Sequence, residues 1–151
     1  MAETVPIDEK YIANRYSVEI DGITDAVFKE VSGLEIEFEV VDEKDQSGFN
    51  PTGARKRPGR VKYADISLKR NYGPDNQFYL WMKDVVDGKP EGTIRKDGSV
   101  FMHDRTGGVI GEWVFSGAFI SSWSVSDLDA GADDVMEESI TLSIISLRRE
   151  K

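Results

Sequence analysis

The sequence of 151 residues contains no cysteine and only one histidine, His103. Without cysteine, the chain can form no disulfide, no thiolate nucleophile and no cysteine-ligated metal site. A single histidine supplies at most one imidazole base and cannot form a multi-histidine metal site. The signatures of α/β-hydrolases, P-loop nucleotide-binding proteins and dinucleotide-binding folds are also missing from the sequence. We therefore expect no enzyme, no metal site and no cofactor.

Long apolar runs are missing as well. No stretch approaches the roughly 18 consecutive apolar residues that a membrane-spanning helix needs. The first ten residues, MAETVPIDEK, lack the basic start and apolar run of an export signal. We expect a protein that is made in the cytoplasm without a signal peptide and has no membrane anchor.

Positive charge is scarce in the last third of the chain. The whole sequence has 28 acidic and 19 basic side chains, a formal net charge of -9, which disfavours binding to phosphate backbones. Between Thr106 and Leu147 there are seven acids and no lysine or arginine. Ordinary solvated surfaces mix the two signs. The pattern indicates either simple solubility or a surface that repels a polyanion or pairs with a basic segment.

Short alternating runs dominate what is present. In residues 34–40 the apolar and acidic side chains alternate strictly, which predicts a strand with one buried face and one wet, negative face. Two later runs show the same design, with small hydroxyls and acids opposite large apolar side chains. The expected apolar faces are Leu34, Ile36, Phe38 and Val40; Trp113, Phe115, Phe119, Trp123 and Val125; and Met136, Ile140, Leu142 and Ile144.

One helix is predicted after Pro74. Asp75 is a suitable N-cap and Gly88 a suitable terminator, and between them Phe78, Trp81, Met82 and Val85 form an apolar stripe. Such a stripe must cover a sheet face. We predict a single domain over residues 1–151 that is mainly β, with two packed antiparallel sheets in a barrel-like sandwich and one flanking α-helix.

A long loop is predicted at about 42–59, where the apolar pattern disappears. Connections of this length are uncommon in compact domains and are usually functional or disordered. The segment is acidic at its start and basic at its end, and it contains an isolated phenylalanine, Phe49. It is either a solvated loop or an arm that docks on a neighbouring subunit. The two strands that it joins are expected to project beyond the domain body.

Two candidate chemical sites are weak. His103 and Asp104 are adjacent on a strand end, so their side chains point to opposite faces and cannot easily form a base–carboxylate pair. The acids Asp127, Asp129, Asp133, Asp134 and Glu138 lie nearly in the register of a calcium-binding loop. Gly131 stands one position too early and the flanks are strands, so we expect a solvated turn.

Three segments together resemble the inner tube protein family of contractile phage tails and phage-derived contractile injection systems. They are YSVEIDGITDAVFKEVSGLEIEFEVV, RKRPGRVKYADISLKRNYGPDNQFYLWMKDV and SVSDLDAGADDVMEESITLSI, and the likeness covers roughly residues 15–147. Each motif is weak alone, but their order and spacing are specific. The alternative from the residues themselves is a monomeric small β-barrel that binds a ligand.

The resemblance implies a structural subunit without enzymatic activity. Hexameric rings of such subunits stack into a hollow tube, which contraction of a surrounding sheath drives through a target envelope. The implied partners are further copies of the chain, sheath subunits, baseplate and tube-terminating proteins, and a cargo of protein effector or DNA in the lumen. The implied location is a phage tail or phage tail-like particle, which is released from the cell in some systems.

The resemblance also assigns roles to residues. Side chains on the polar strand faces would line the lumen as a smooth, wet, negative wall; they are Glu35, Glu37, Glu39, Ser116, Ser122, Ser124, Glu137, Ser139, Thr141 and Ser143. The predicted loop would reach an adjacent ring through Asp42, Glu43, Asp45, Phe49, Arg55, Lys56, Arg57 and Arg60. A bulge or a one-residue slip in register would invert these faces.

Overall fold

The computed structural model of the protein describes residues 15–44, 54–126 and 135–151. In chain order its elements are β1 (Arg15–Ile20), β2 (Ile23–Phe28), β3 (Glu30–Ser32), β4 (Ile36–Lys44), β5 (Ala54–Tyr63), β6 (Ile66–Asn71), α1 (Gln77–Val86), α2 (Glu91–Ile94), β7 (Lys96–His103), β8 (Val109–Val125), β9 (Glu137–Ser143) and β10 (Ser146–Arg149).

Strand β8 joins two antiparallel layers. The first half of β8 pairs with β7 and β10, and its second half pairs with β9, so that the strand order is β2-β1-β7-β8-β9-β6-β3. The two ends of this path, β2 and β3, are separated in the chain only by Lys29, whose N–H donates to the carbonyl of Lys69 at 2.9 Å. The sheet thus returns on itself, and the predicted barrel-like sandwich is confirmed.

The interior between the layers is filled with apolar side chains. Phe115 of β8, Val100 of β7, Leu68 of β6 and Leu142 of β9 are fully buried. These residues are the inward positions of their strands, as the period of two in the sequence requires. The barrel therefore has a packed core.

Gly117 allows β8 to pass from one layer to the other. Two β8 residues lie opposite one β7 residue at this point, and Gly117 has a φ of +61°. Its N–H donates to Asp97 Oδ1 at 2.8 Å, and its carbonyl accepts from Arg95 Nη1 at 2.9 Å. The extra residue of this bulge shifts the alternation by one. Phe119, predicted on the apolar face, accordingly lies on the polar face opposite Ser143.

The predicted helix is confirmed as α1, which buries Phe78 and Trp81. The N-cap is Asn76 and not Asp75 as predicted; Asp75 lies one residue earlier, where its Oδ1 accepts the N–H of Gln77 at 3.1 Å. A second helix, the single turn α2, was not predicted. Trp81 connects the two helices because its Nε1–H donates to the carbonyl of Ile94 at 2.7 Å.

Strands β4 and β5 form a separate two-stranded sheet, the hairpin. It continues the β3–β6 ladder beyond a bend at Gly33, which has a φ of +87°. A Cβ on this residue would lie 1.9 Å from the carbonyl oxygen of Asp65. The two segments of the chain can therefore cross at this point only if the residue is glycine. The run VKYADISLKRN, residues 61–71, predicts a single strand by its sequence, and this prediction is wrong because the bend divides the run into β5 and β6.

Candidate assembly interface

One face of the hairpin is apolar and exposed. Ile36, Phe38, Val40 and Val61 have exposed fractions of 48%, 54%, 62% and 41%. Register places Phe38 opposite Val61, so these side chains share a face, which we call the hairpin apolar face. The sequence predicted that residues 34–40 bury this face, and within the single chain that prediction is wrong: only Leu34 packs against the core. The hairpin projects from the body, so no described element covers it.

The loop predicted at 42–59 is shorter than expected. Strand β4 extends to Lys44 and β5 begins at Ala54, so the charged ends of the predicted loop are strand residues. The remainder, which includes Asp45 and Phe49, lies outside the described residues. These strand ends were predicted as loop because most of their residues are charged, so the apolar alternation is lost there.

Cross-strand register explains the division of charge along the hairpin. Asp42 lies opposite Lys56, Glu43 opposite Arg55, and Glu37 opposite Lys62. Opposite charges at facing positions stabilise an antiparallel pair. The acidic and basic ends of the predicted loop thus lie opposite each other within the hairpin, and their contact with an adjacent ring stays a prediction. Arg57 lies opposite Val41, and Arg60 stands at the bulge.

Two strand edges lack a partner in the described structure. One belongs to β4, which pairs only with β5, and the other lies in β8, at the far end of the layer that the hairpin continues. Strand β7 ends its pairing with β8 at Ala118, so in the described structure residues 119–125 of β8 have only β9 beside them. The N–H of Ser126 donates to the carbonyl of Glu137, which fixes the alternation of the ladder. The N–H groups of Trp123 and Val125 therefore point away from β9, toward the open edge.

The polar face of the second layer carries several of the predicted lumen residues. Ser122, Ser124, Glu137, Ser139, Thr141 and Ser143 share the solvent side of β8 and β9. The register extends this face to β6 and β3, where Ser67 and Ser32 continue the row of Ser122 and Thr141. We call it the hydroxyl face. The sequence analysis missed its β6 and β3 members because those strands are short.

Four predicted lumen residues lie elsewhere. Glu37 and Glu39 are on the hairpin, and Glu35 precedes it. Ser116 is in the first half of β8, where its hydroxyl contacts that of Ser146 in β10. The assignment of all ten residues to a lumen stays a prediction.

Charge on the hydroxyl face is balanced. Lys29 Nζ pairs with Glu137, and Lys69 Nζ lies 3.7 Å from Glu30 Oε2. The hydrogen bond from Lys29, followed by its charge, lowers the pKa of Glu137 below its usual value. The predicted negative wall is therefore not a property of this face alone, because a lysine accompanies each described carboxylate.

A buried ion pair lies beneath α1. Glu138 of β9 is 2% exposed, and its Oε2 accepts from Arg70 Nε at 3.2 Å. Trp123 Nε1–H donates to Glu138 Oε1 at 2.9 Å, and the guanidinium also reaches Asp75 Oδ2 at 3.4 Å. The sequence analysis treated Glu138 as a weak calcium candidate. The sequence could have indicated this ion pair, because both charged residues lie at inward positions of their strands.

Above this ion pair is an open cleft of about 560 Å³. It is bordered by aromatic side chains, and the rings of Tyr79 on α1 and Trp123 on β8 are 5.2 Å apart between centroids. We call it the aromatic cleft; its lining residues are Tyr72, Gly73, Pro74, Asp75, Asn76, Tyr79, Trp123 and Glu138.

His103 and Asp104 have separate local partners. His103 Nε2 is 2.7 Å from Ser17 Oγ, and its Nδ1 is 3.2 Å from the carbonyl of Gly107. Asp104 Oδ1 instead accepts hydrogen bonds within its own turn, including one from the Thr106 hydroxyl at 2.7 Å. The Asp104 carboxylate is therefore not placed to orient the His103 imidazole.

Histidine and acidic side chains are dispersed in the described structure. Among residues 15–44, 54–126 and 135–151, no group of three or more histidine or acidic side chains is placed to hold a metal ion. The calcium candidates Asp127, Asp129, Asp133 and Asp134 lie outside the described residues. The structural elements on either side of them, β8 and β9, are strands rather than helices.

Comparison with known families decides what kind of protein carries these surfaces. The family described as T4-like virus tail tube protein gp19 matches residues 12–148. The chain belongs to this tail tube family. The match extends over both layers, both helices and the hairpin, so the resemblance drawn from the sequence motifs is confirmed. A search of curated proteins gives no match.

Solved structures show that the tail tube fold is shared beyond this family match. The chain is similar to one in the PVC extracellular contractile injection system sheath–tube complex, with a TM-score of 0.79, 20% identity and coverage of 95% of this chain and 93% of that one. It is also similar to a chain in the anti-feeding prophage tube-terminating cap, with a TM-score of 0.79, 23% identity and coverage of 98% of this chain and 95% of that one. The likeness to Hcp1 from Flavobacterium johnsoniae is weaker, with a TM-score of 0.54, 18% identity and coverage of 89% of this chain and 94% of that one.

Family membership identifies the chain as a structural tube subunit, as the sequence motifs predicted. The alternative, a monomeric barrel that binds a ligand inside, is not favoured, and the barrel interior is occupied by core side chains such as Phe115 and Leu142. In the described parts of this tail tube protein, no helix has the length and apolar character needed to cross a bilayer.

Proposed function

We propose that this tail tube subunit closes into hexameric rings by joining the open β8 edge of one copy to the hairpin strand β4 of the next. The rings then stack into the hollow inner tube of a contractile particle. The observation that carries the proposal is a pair of strand edges that lack partners among the described residues. They are β4 and residues 119–125 of β8, at the two ends of the layer that the hairpin continues. Unpaired strand edges expose N–H and C=O groups that another chain can satisfy.

Strand direction supports this junction. Counted through the antiparallel pairs β8–β9, β9–β6 and β6–β3, strand β3 runs opposite to β8, and β4 continues β3 beyond Gly33. A junction of β4 with β8 of the next copy thus extends an antiparallel sheet. Because the two joined surfaces differ, the contact is heterologous and generates a ring when the rotation closes.

The hydroxyl face lies on one side of the sheet that these junctions extend. In the proposed ring this face lines the lumen, together with Glu37 and Glu39 of the hairpin. Small hydroxyls and paired charges offer few apolar or unpaired charged groups to a passing molecule, so cargo slides along the wall. The work of the subunit is mechanical, and the proposal assigns no bond-making step to it.

The further partners in this proposal are those of a contractile particle. The similar solved chains come from a sheath–tube complex, a baseplate and tube terminators. We assign to this chain contacts with a sheath, a baseplate and a tube-terminating protein. The subunit is made in the cytoplasm and leaves it only as part of a phage tail-like particle.

Light scattering and negative-stain microscopy of the purified chain test the proposal. We expect a ring-sized species or striated tubes. A stable monomer at high concentration, which persists when the sheath and baseplate proteins are present, would contradict it.

A proline on the open edge tests the junction itself. Val125→Pro removes an N–H that points away from β9, so the subunit should fold and fail to form rings. The control Ser124→Pro removes an N–H directed at β9 and should destabilise the monomer instead. Rings of Val125→Pro that match the wild type would show that this edge is not used.

A further inference from the structure

The aromatic cleft presents apolar surface that its own chain leaves uncovered. Tyr72 and Tyr79 on its rim are half exposed, with exposed fractions of 51% and 45%. Trp123 on its wall donates its indole N–H to the Glu138 carboxylate, which orients its ring. Such a concave aromatic surface fits a large apolar side chain, since buried aromatic pockets commonly receive the anchors of interfaces.

The hairpin apolar face is the second uncovered apolar surface of the subunit. It presents Phe38 at its centre, with Ile36, Val40 and Val61 around it. Head-to-tail assembly needs two different surfaces on one chain that fit each other. A projecting face with one aromatic side chain and a recessed aromatic cleft form such a pair.

Both surfaces lie on the same side of the sheet. Leu34 and Tyr63, at the base of the hairpin apolar face, pack against the core, and so does Trp123 at the other end of the sheet. If β4 of one copy joins residues 119–125 of the next, the hairpin apolar face continues the core side of the sheet. Phe38 then faces the region between Trp123 and helix α1.

Charge does not oppose the match. The ionisable side chains that line the cleft are the two acids Asp75 and Glu138, which share the single guanidinium of Arg70. Strand β5 carries five basic residues and no acid; they are Arg55, Lys56, Arg57, Arg60 and Lys62. Since Arg55, Lys56 and Lys62 face acids of β4 within the hairpin, the match between the two surfaces rests on shape and apolar area.

We propose that the aromatic cleft of one subunit receives the hairpin apolar face of the next subunit, with Phe38 as the anchor. This inference rests on the proposed ring assembly and specifies which surface of the neighbour covers the hairpin. The occupant is a second copy of this chain.

Because the chain has no cysteine, introduced cysteines can be cross-linked without background. The double variant Phe38→Cys, Tyr79→Cys lacks the anchor ring, so it is treated with a short bismaleimide at a concentration high enough for this variant to form rings. It should give a ladder of covalent oligomers. A mixture of the two single variants should give dimers only, since each copy then carries one half of the contact. The control pairs Phe38→Cys with Val27→Cys, which is exposed on β2, and should give no ladder.

Truncation of the anchor is the second test. Phe38→Ala removes an exposed side chain, so the monomer should fold as the wild type does by circular dichroism. We expect the concentration needed for assembly to rise about tenfold or more, as for other anchor residues. Val27→Ala, the matched control, should leave this concentration unchanged.

The outcomes separate the two proposals. If the wild type forms no rings, the proposed function fails. If rings form but the Phe38–Tyr79 ladder is absent, or if Phe38→Ala assembles at the wild-type concentration, ring assembly stands and the cleft is not the receiving surface.

Discussion

Trp123 donates its indole N–H to the buried carboxylate of Glu138 at 2.9 Å. The same carboxylate binds Arg70, whose guanidinium lies 5.0 Å above the ring centroid of Phe78 in the core. The side chain that borders the aromatic cleft is therefore fixed by an interior charge pair. The stability of the barrel and the shape of the proposed docking surface depend on the same few residues.

Removal of the buried acid should destabilise the subunit strongly. Glu138→Ala leaves the Arg70 guanidinium buried without its main partner, which typically costs about 3–5 kcal/mol. Urea unfolding of the dispersed subunit measures this. The matched control, Glu137→Ala, removes an exposed partner of Lys29 on the other face of β9 and should change stability little. Coincident unfolding curves for the two variants would contradict the role assigned to the pair.

A side chain at the bend of the hairpin should not be tolerated. Gly33→Ala places a Cβ 1.9 Å from the Asp65 carbonyl oxygen. The positive φ alone typically costs about 1–3 kcal/mol, and the clash adds to it. Gly73→Ala is the control, because its Cβ would meet nothing within 4 Å. Thermal unfolding should show a large loss of stability for Gly33→Ala only. Equal unfolding midpoints for the two variants would show that the two crossing segments can move apart to accept a Cβ.

The turn after β7 should lose stability in acid. The Thr106 hydroxyl, followed by the Gly108 N–H, holds the pKa of Asp104 below its ordinary value of 3.8. Because the native pKa is the lower one, the contribution of Asp104 to stability is present above 3.8 and is lost as the pH falls through the native pKa. An NMR titration of the carboxyl should show this pKa return toward 3.8 in Thr106→Val. Thr93→Val, on α2, should leave it unchanged; equal shifts in both variants would rule out the local cause.

The proposed lumen face should become inaccessible to bulky reagents in assembled tubes. Ser139→Cys lies on the hydroxyl face, and the control Val86→Cys lies on the exposed side of α1, at a position that is 73% exposed. Both should react with a maleimide–polyethylene glycol polymer in the dispersed subunit. In tubes only the α1 position should react, while a small maleimide still labels both. Reaction of Ser139→Cys with the polymer in intact tubes would place this face outside the lumen.

Much of the fold followed from local pattern. The alternation around Ile140 and Leu142 marks inward positions that the structure buries, and the stripe of Phe78 and Trp81 marks α1. These predictions succeeded because a strand or helix buries one face of its own repeat. The polar positions Ser122 and Thr141 also fell together on one face, because β8 and β9 pair directly there.

Other features could not be predicted from local pattern. The bulge at Gly117 moved Phe119 to the polar face, because one extra residue inverts the alternation until a second register shift between Ile120 and Ser122 restores it. Strand residues such as Asp42 and Lys56 were predicted as loop. Their charges lie opposite each other across the hairpin, and a pattern of neighbouring residues does not contain this pairing.

The amino-acid order alone determined the strands, the main helix, the excess of acid and the motifs of the tail tube family. Each of these depends on neighbours along the chain. Only the tertiary structure showed that the apolar face around Phe38 stays uncovered and that a cleft with Trp123 stays open at the other end of the sheet. Whether an apolar face is buried depends on which distant elements reach it, and in this subunit none of the described ones does.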